Sequence, residues 1–536
     1  MDQCSHAART LDGSVPLPCS LGMSFLCRRF LRSLALAFAA TASVSAFAEL
    51  RLPAVFSDNA VLQQGREVPI WGWCDSGETV RVDFRGQSYS TVSKNGRWLI
   101  KLPKQRPGPP EKLVVRAKTE SLTRTNMLVG EVWVCSGQSN MEWPMSRSED
   151  SQSAIDASSN KQIRLFTVAK AMTETPADDV NGRWEICSPN SVTSFSAVAY
   201  YFGVDLQRAR NVPVGLIHTS WGGSPVEVWI RGEVLAADPD FKRNILDPYP
   251  EKKRRFEESL AAWEKEVAEL KAQGRPPTRG RPWGDWAPSQ IYNAMIYPLI
   301  PYAIAGALWY QGESNAGRAH EYGRLFPTLI QNWRSDWGQG NFPFLAVQLA
   351  PWDKNKKRSI EEITAAPADS DWAELREAQL LTTRVLPKVG MAVITDVGDK
   401  DDIHPVKKRP VGARLALAAR AIAYGERITY SGPQFRSLRI SKGRAILSFN
   451  HVGGGLQVRG KSLTGFQICG SNREWLWADA RIDGRRVVVS HPKVPEPVAV
   501  RYGWLDNPIV NLFNVDGLPA SPFRTDNFPM VTAPKN

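Results

Sequence analysis

The spacing of apolar and polar positions divides the chain into three stretches with different periods. From residue 49 to about 125, short β-rich runs alternate with turn residues. Val68-Pro69-Ile70-Trp71-Gly72-Trp73 gives way to the turn Asp75-Ser76-Gly77 and then to Thr79-Val80-Arg81-Val82-Asp83-Phe84. Asn95-Gly96, ahead of Trp98-Leu99-Ile100, marks a hairpin, since both residues tolerate the positive φ of a tight turn. This stretch predicts an N-terminal β module over 49–125. Beyond it the runs become continuously apolar: Val132-Trp133-Val134-Cys135, Val214-Gly215-Leu216-Ile217, Ile304-Ala305-Gly306-Ala307-Leu308-Trp309, Phe344-Leu345-Ala346-Val347 and Val389-Gly390-Met391-Ala392. Runs without alternation suit parallel strands covered on both faces. Helical patterns over 197–210 and 374–385 lie between them. Strands alternating with helices predict an α/β sheet with helices on both faces over 126–426. A charged segment over about 238–275 reads as a helical insertion, either a surface cover or a lid. From 427 short strands return, including Leu438-Arg439-Ile440 and Val487-Val488-Val489. They predict a C-terminal β module over 427–536 that could pack with the first.

The first 48 residues follow another logic. Arg28, Arg29 and Arg32 precede the apolar run Leu34-Ala35-Leu36-Ala37-Phe38-Ala39-Ala40, and Ala46-Phe47-Ala48 supplies small residues at a cleavage site. That is the pattern of a secretory signal peptide, with an apolar run too short to span a bilayer. Its distance from Met1 points to a start at Met23. A soluble, exported bacterial protein, periplasmic or secreted, is expected, with no membrane partner. The net charge is +13, of which the leader's four arginines and two aspartates account for +2, leaving about +11. A basic surface attracts anions, but no nucleic-acid motif accompanies it, and no nucleic-acid partner is expected. Four of the seven cysteines, Cys74, Cys135, Cys187 and Cys469, lie after the leader. Export would allow one or two disulfides among them, and the absence of C-x-x-C spacing argues against zinc.

The chemistry begins directly after the first buried run, at Cys135-Ser136-Gly137-Gln138-Ser139-Asn140-Met141. A serine on a tight strand-to-helix turn sits at the carboxyl edge of the sheet, where open α/β folds bind ligands. Gly137 would allow close backbone approach to a substrate, and the following helix start would offer N–H donors to an oxyanion. Taken alone, Ser136 and Ser139 are equally good turn or cap residues. The second piece is Asp401-Asp402-Ile403-His404-Pro405. A carboxylate three residues before a histidine can hold its Nδ1–H and leave Nε2 to act as a base. None of the other four histidines after the leader, His218, His320, His451 and His491, has an acid at that offset. Two further loops, Ser220-Trp221-Gly222-Gly223-Ser224-Pro225 and Trp309-Tyr310-Gln311-Gly312-Glu313-Ser314-Asn315, follow buried runs. They offer backbone N–H groups and a neutral amide donor.

Together, Gly-Gln-Ser-Asn-Met-Glu-Trp-Pro-Met, Ser-Trp-Gly-Gly-Ser, Trp-Tyr-Gln-Gly-Glu-Ser-Asn and Asp-Ile-His-Pro, in this order, resemble the sialate O-acetylesterase family and its bacterial carbohydrate-esterase relatives. The resemblance extends to Ile291-Tyr292-Asn293-Ala294-Met295-Ile296 and to Asn511-Leu512-Phe513-Asn514. It implies an SGNH-type three-layer α/β/α domain with accessory sandwich or jelly-roll-like β modules, and no metal or organic cofactor. It also implies Ser139 as nucleophile, His404 as general base and Asp401 as its orienting acid, with Asp402 as the alternative acid. The Ser139 N–H, the Gly223 N–H (or that of Gly222) and the Gln311 side chain would form the oxyanion hole. Glu313 would hold the Gln311 loop, and Trp143 and Trp221 are candidates for shaping sugar subsites. The expected partner is an acetylated carbohydrate, leaning to plant polysaccharide of the xyloglucan or xylan type. A sialate substrate is the alternative, although no arginine can be assigned from sequence to its carboxylate. A non-catalytic glycan-binding protein is the rival of another class.

Overall fold

A computed structural model describes residues 49–355 and 357–534; the leader read over 1–48 lies outside the described residues. The apolar runs of the middle stretch become β1 (Glu120–Gly137), β2 (Asn160–Thr167), β3 (Trp184–Cys187), β4 (Val214–Ser220), β5 (Gly306–Tyr310), β6 (Phe344–Val347) and β7 (Val389–Ala392). The helices that matter for the site are α1 (Ser139–Glu142), α2 (Ala197–Arg210), α3 (Tyr249–Ala272), α4 (Ala319–Trp337), α5 (Asp371–Val385) and α6 (Arg409–Ile422). The sheet order is β7-β6-β5-β1-β4-β2-β3, all parallel except β3, which pairs antiparallel with β2 at the edge.

Helices cover both faces of this sheet, as its unalternating strands require. Val132 and Val134 of β1 join a cluster with Leu325 and Leu329 of α4 and Leu375 of α5. The intervening Trp133 and Cys135 join another, with Phe202 and Leu206 of α2 and Leu415 and Ala419 of α6. Each buried Val, Leu or Phe among them contributes roughly 1.5–3 kcal/mol by leaving water. α2 and α6 pack closely enough that a Cβ at Gly412 would lie 2.7 Å from the Phe202 nitrogen, which explains a glycine inside a helix.

The flanking β stretches are present, but the boundary drawn at 125 falls inside one strand. β1 runs unbroken through it: its outer part pairs antiparallel with Glu111–Ala117, and its inner part is the centre of the parallel sheet. The C-terminal stretch forms two four-stranded antiparallel sheets over their own core. It is fastened to α5, where the buried Arg376 donates to the Leu505 and Asp506 carbonyls and Arg524 pairs with Glu377. The four cysteines are all free and buried, so the disulfides that export would allow do not form among them. No helix among the described residues is long and apolar enough to cross a membrane.

Candidate active site

β1, β4 and β5 end level with one another, since Gly137 is in register with Ser220 on one side and with Tyr310 on the other. The connection after β1 runs to β2 on one side, whereas those after β4 and β5 run the opposite way, so this is the sheet's topological switch point, where diverging loops leave a crevice. Three of the sequence motifs start there. A Cβ at Gly137 would lie 2.1 Å from the Tyr310 carbonyl oxygen. The close approach this glycine allows is therefore to the neighbouring strand, not to a substrate.

Ser139 opens α1, and its Oγ lies 2.8 Å from Nε2 of His404, which is carried on the loop after β7. Burial holds the His404 imidazole below the ordinary histidine value; Lys408 and Arg147 push the same way and Asp402 opposes. At neutral pH the ring is then an uncharged proton acceptor. The acid beside it is Asp402 and not Asp401. Asp402 Oδ1 accepts the His404 backbone N–H at 2.8 Å, and the same oxygen lies 3.5 Å from Nδ1. This is an Asx turn, in which a side chain caps the backbone two residues on. It brings the i−2 carboxylate to the ring, while Asp401 faces out and pairs with Lys400.

The predicted oxyanion donors divide. Gln311 is fully buried, and its amide nitrogen donates to Asn315 Oδ1 at 2.7 Å and to the Ser224 carbonyl at 3.3 Å. Both of its hydrogens are committed inside the protein, so Gln311 braces the loop instead of facing the crevice. In the glycine loop, Trp221 N–H donates to Gly137, Gly222 N–H to Glu142 Oε2 at 2.6 Å, and Ser224 N–H to Trp221. The Gly223 N–H takes no part in these bonds. Gly222 lies against the nucleophile, where a Cβ would be 3.2 Å from that of Ser139. As the first residue of α1, Ser139 has an N–H without an intrahelical acceptor.

Of the residues that tie these loops together, the sequence assigned a role to Glu313, as the holder of the Gln311 loop, and none to Asn140, Lys408 or Glu142. Asn140, next to the nucleophile, donates to Glu313 Oε1 at 2.6 Å and to the Ile403 carbonyl at 3.0 Å, and accepts from Lys408 Nζ at 2.6 Å. One buried amide thus clamps the serine turn, the Gln311 loop and the His404 loop. Burial raises the Glu313 carboxyl and brings the Lys408 ammonium down to about 7, Glu313 and Asp402 opposing the latter shift. Glu142, besides holding Gly222, accepts from Lys170 at 2.6 Å.

Ser139 and His404 sit in a cleft of about 1140 Å³. Trp143 is stacked on the His404 ring at 5.3 Å, and Trp221 meets Trp286 edge to face. The helical insertion lines the cleft too, through Tyr249, Lys253 and Phe256 of α3. A second serine–histidine contact, His218 Nε2 to Ser220 Oγ at 2.6 Å, also lines the cleft. The buried His218 ring is brought down to about 4, chiefly by desolvation, and its Nδ1 has no partner among the described residues. Only the Ser139–His404 pair has a carboxylate beside the second ring nitrogen.

Residues 129–272 and 278–419 match the family described as carbohydrate esterase, sialic acid-specific acetylesterase. The chain is 29% identical over 481 residues to the sialate O-acetylesterase of Mus musculus, covering 81% of this chain and 85% of that protein. It is 28% identical over 497 residues to the Homo sapiens counterpart, covering 85% and 87%. The crystal structure of a carbohydrate acetylesterase from Xanthomonas citri superposes with a TM-score of 0.76 at 37% identity, over 90% of this chain and all of that one.

Proposed function

This chain belongs to the carbohydrate esterase family of sialic acid-specific acetylesterases, and from that membership we propose that it removes O-acetyl groups from plant-type polysaccharide or oligosaccharide, with Ser139 as nucleophile on an SGNH-type three-layer scaffold. The observation that carries the reading is the 2.8 Å contact between Ser139 Oγ and His404 Nε2, made across 265 positions of sequence at the switch point of the sheet.

His404 Nε2 takes the proton as Ser139 Oγ attacks the acetyl carbonyl carbon. The carbonyl oxygen becomes an oxyanion, stabilised by the N–H groups of Ser139 and Gly223, neither of which meets an acceptor among the hydrogen bonds of the described residues. The C–O bond to the sugar breaks, and the leaving oxygen takes the proton from His404. Water, deprotonated by the same ring, then releases acetate from the acetyl-serine. Asp402 stabilises the imidazolium formed in each half. The leader read over 1–48 fits this role, since an exported enzyme meets extracellular glycan.

The aromatic lining of the cleft supports a neutral glycan. One observation favours sialate instead: Arg147 and Arg281 both line the cleft and have no carboxylate partner among the described residues. An arginine fork is the natural reader of a sugar carboxylate. Acetate release from acetylated xyloglucan, acetylated xylan and O-acetyl sialoglycan, with Ser139→Ala as control, decides between them. Release by the wild type alone, highest on xyloglucan or xylan, is the expected result. Preference for the sialoglycan would move the substrate to the second reading, and equal release by the variant would end the serine mechanism.

A further inference from the structure

Trp283 has 95% of its surface exposed, the highest value among the exposed large apolar residues, and it stands on the same cleft as Ser139 and His404. The loop that carries it is held on both sides. Before it, Arg279 Nε donates to Glu266 Oε2 at 2.8 Å, its carbonyl accepts from Trp263 Nε1 at 3.0 Å, and Thr278 also bonds Glu266. After it, Gly284 approaches α3 so closely that a Cβ there would lie 2.9 Å from the Phe256 ring, and Trp286 packs edge-on against Trp221 at 5.6 Å. An indole on a pinned loop is presented to solvent, not left there by a floppy segment.

An indole face is apolar and carries partial negative charge, which suits the C–H face of a pyranose, and the side chain loses little entropy when a ligand covers it. The acetyl group and one sugar do not need all the room available, because the cleft exceeds the roughly 300–1,000 Å³ of ordinary small-molecule sites. We propose that Trp283 is a stacking platform for a sugar unit of the glycan chain other than the one that carries the acetyl group, so that the enzyme reads a chain and not a monosaccharide. The proposal rests on the carbohydrate-acetylesterase reading above.

Trp283→Ala and Trp283→Phe are compared with the wild type by acetate release from acetylated xyloglucan oligosaccharides and by turnover of 4-nitrophenyl acetate, which has no second sugar to stack. The expected result for Trp283→Ala is an approximately tenfold rise in KM on the oligosaccharides with kcat within twofold and small-ester turnover within twofold. Trp283→Phe should recover most of the loss. An unchanged oligosaccharide KM in Trp283→Ala, or an equal loss on both substrates, overturns the platform. A wild type that hydrolyses 4-nitrophenyl acetate but no acetylated glycan overturns the proposed function and the platform with it. A wild type active on the glycan and indifferent to Trp283 overturns the platform alone.

Discussion

Replacing Asp402 by asparagine removes one charge from the site and little else, because the amide oxygen can still accept the His404 N–H that Asp402 Oδ1 accepts at 2.8 Å. The charge lost lies 3.5 Å from Nδ1. A full charge pair at that distance is worth about 1 kcal/mol in a water-like dielectric and about 5 kcal/mol at an effective value near 20. The Asp402 side chain is 59% exposed, so solvent screens the pair and the lower end applies, about 1–2 kcal/mol. That corresponds to roughly a 5- to 30-fold loss in kcat. It is far below the ~10⁴-fold loss known when a buried triad aspartate is replaced. Because Asp402 raises the His404 value, the variant should also shift the acid limb of its pH profile downward. Asp401→Asn, whose carboxylate faces Lys400, should stay within about twofold of wild type. Both follow from kcat/KM for 4-nitrophenyl acetate measured across pH. A larger loss in Asp401→Asn than in Asp402→Asn, or a ~10⁴-fold loss in the latter, would refute the reasoning.

Other consequences are equally open to measurement. His404 must be uncharged to act and is held below the ordinary value, so the acid limb of kcat/KM should lie below pH ~6.5; a limb above it contradicts the burial argument. His218, brought down to about 4, stays neutral in the folded state while the unfolded chain takes up a proton near pH 6.5. Stability is therefore lost as pH falls from about 6.5 to 4, by about 3 kcal/mol from this group. Urea melts of the wild type and His218→Gln should diverge across that window by this amount, and parallel curves would contradict it. Asn140→Ala strips Glu313 and Lys408 of their shared partner. It should lower stability by about 2–4 kcal/mol and cut kcat through the loosened loops, whereas a variant of unchanged melting temperature would deny the clamp.

The positions of the principal elements were legible because burial on both faces writes an unbroken apolar run, and the serine, glycine and glutamine motifs sit at the ends of such runs, with the histidine motif on the loop after another. Ser139 and His404 could be found this way, as side chains delivered by strand ends. The limits are equally physical. β1 changes from alternating exposure over 120–126 to continuous burial over 127–137, which reads as a domain boundary although the strand does not stop. The spacing rule that selected Asp401 assumes a carboxylate three residues back, and an Asx turn uses two. An amide's targets are tertiary: nothing near Gln311 in sequence announces that Ser224 will take its second hydrogen. Lys408 lies in the charged run Lys407-Lys408-Arg409, which looks like solvated surface until the fold buries it under Asn140. Arg147 likewise shows its place in the cleft only once Trp143 is stacked on His404.

The central claim is that Ser139, and no other serine, carries the acetyl group between its two owners. Rapid acid quench of the enzyme turning over an acetyl ester, followed by peptide mass spectrometry, tests this directly. The acetyl group should appear on the peptide that contains Ser139 and be absent from the Ser139→Ala protein. Acetyl on Ser220, the serine beside His218, or on no serine at all during steady turnover, would contradict the account.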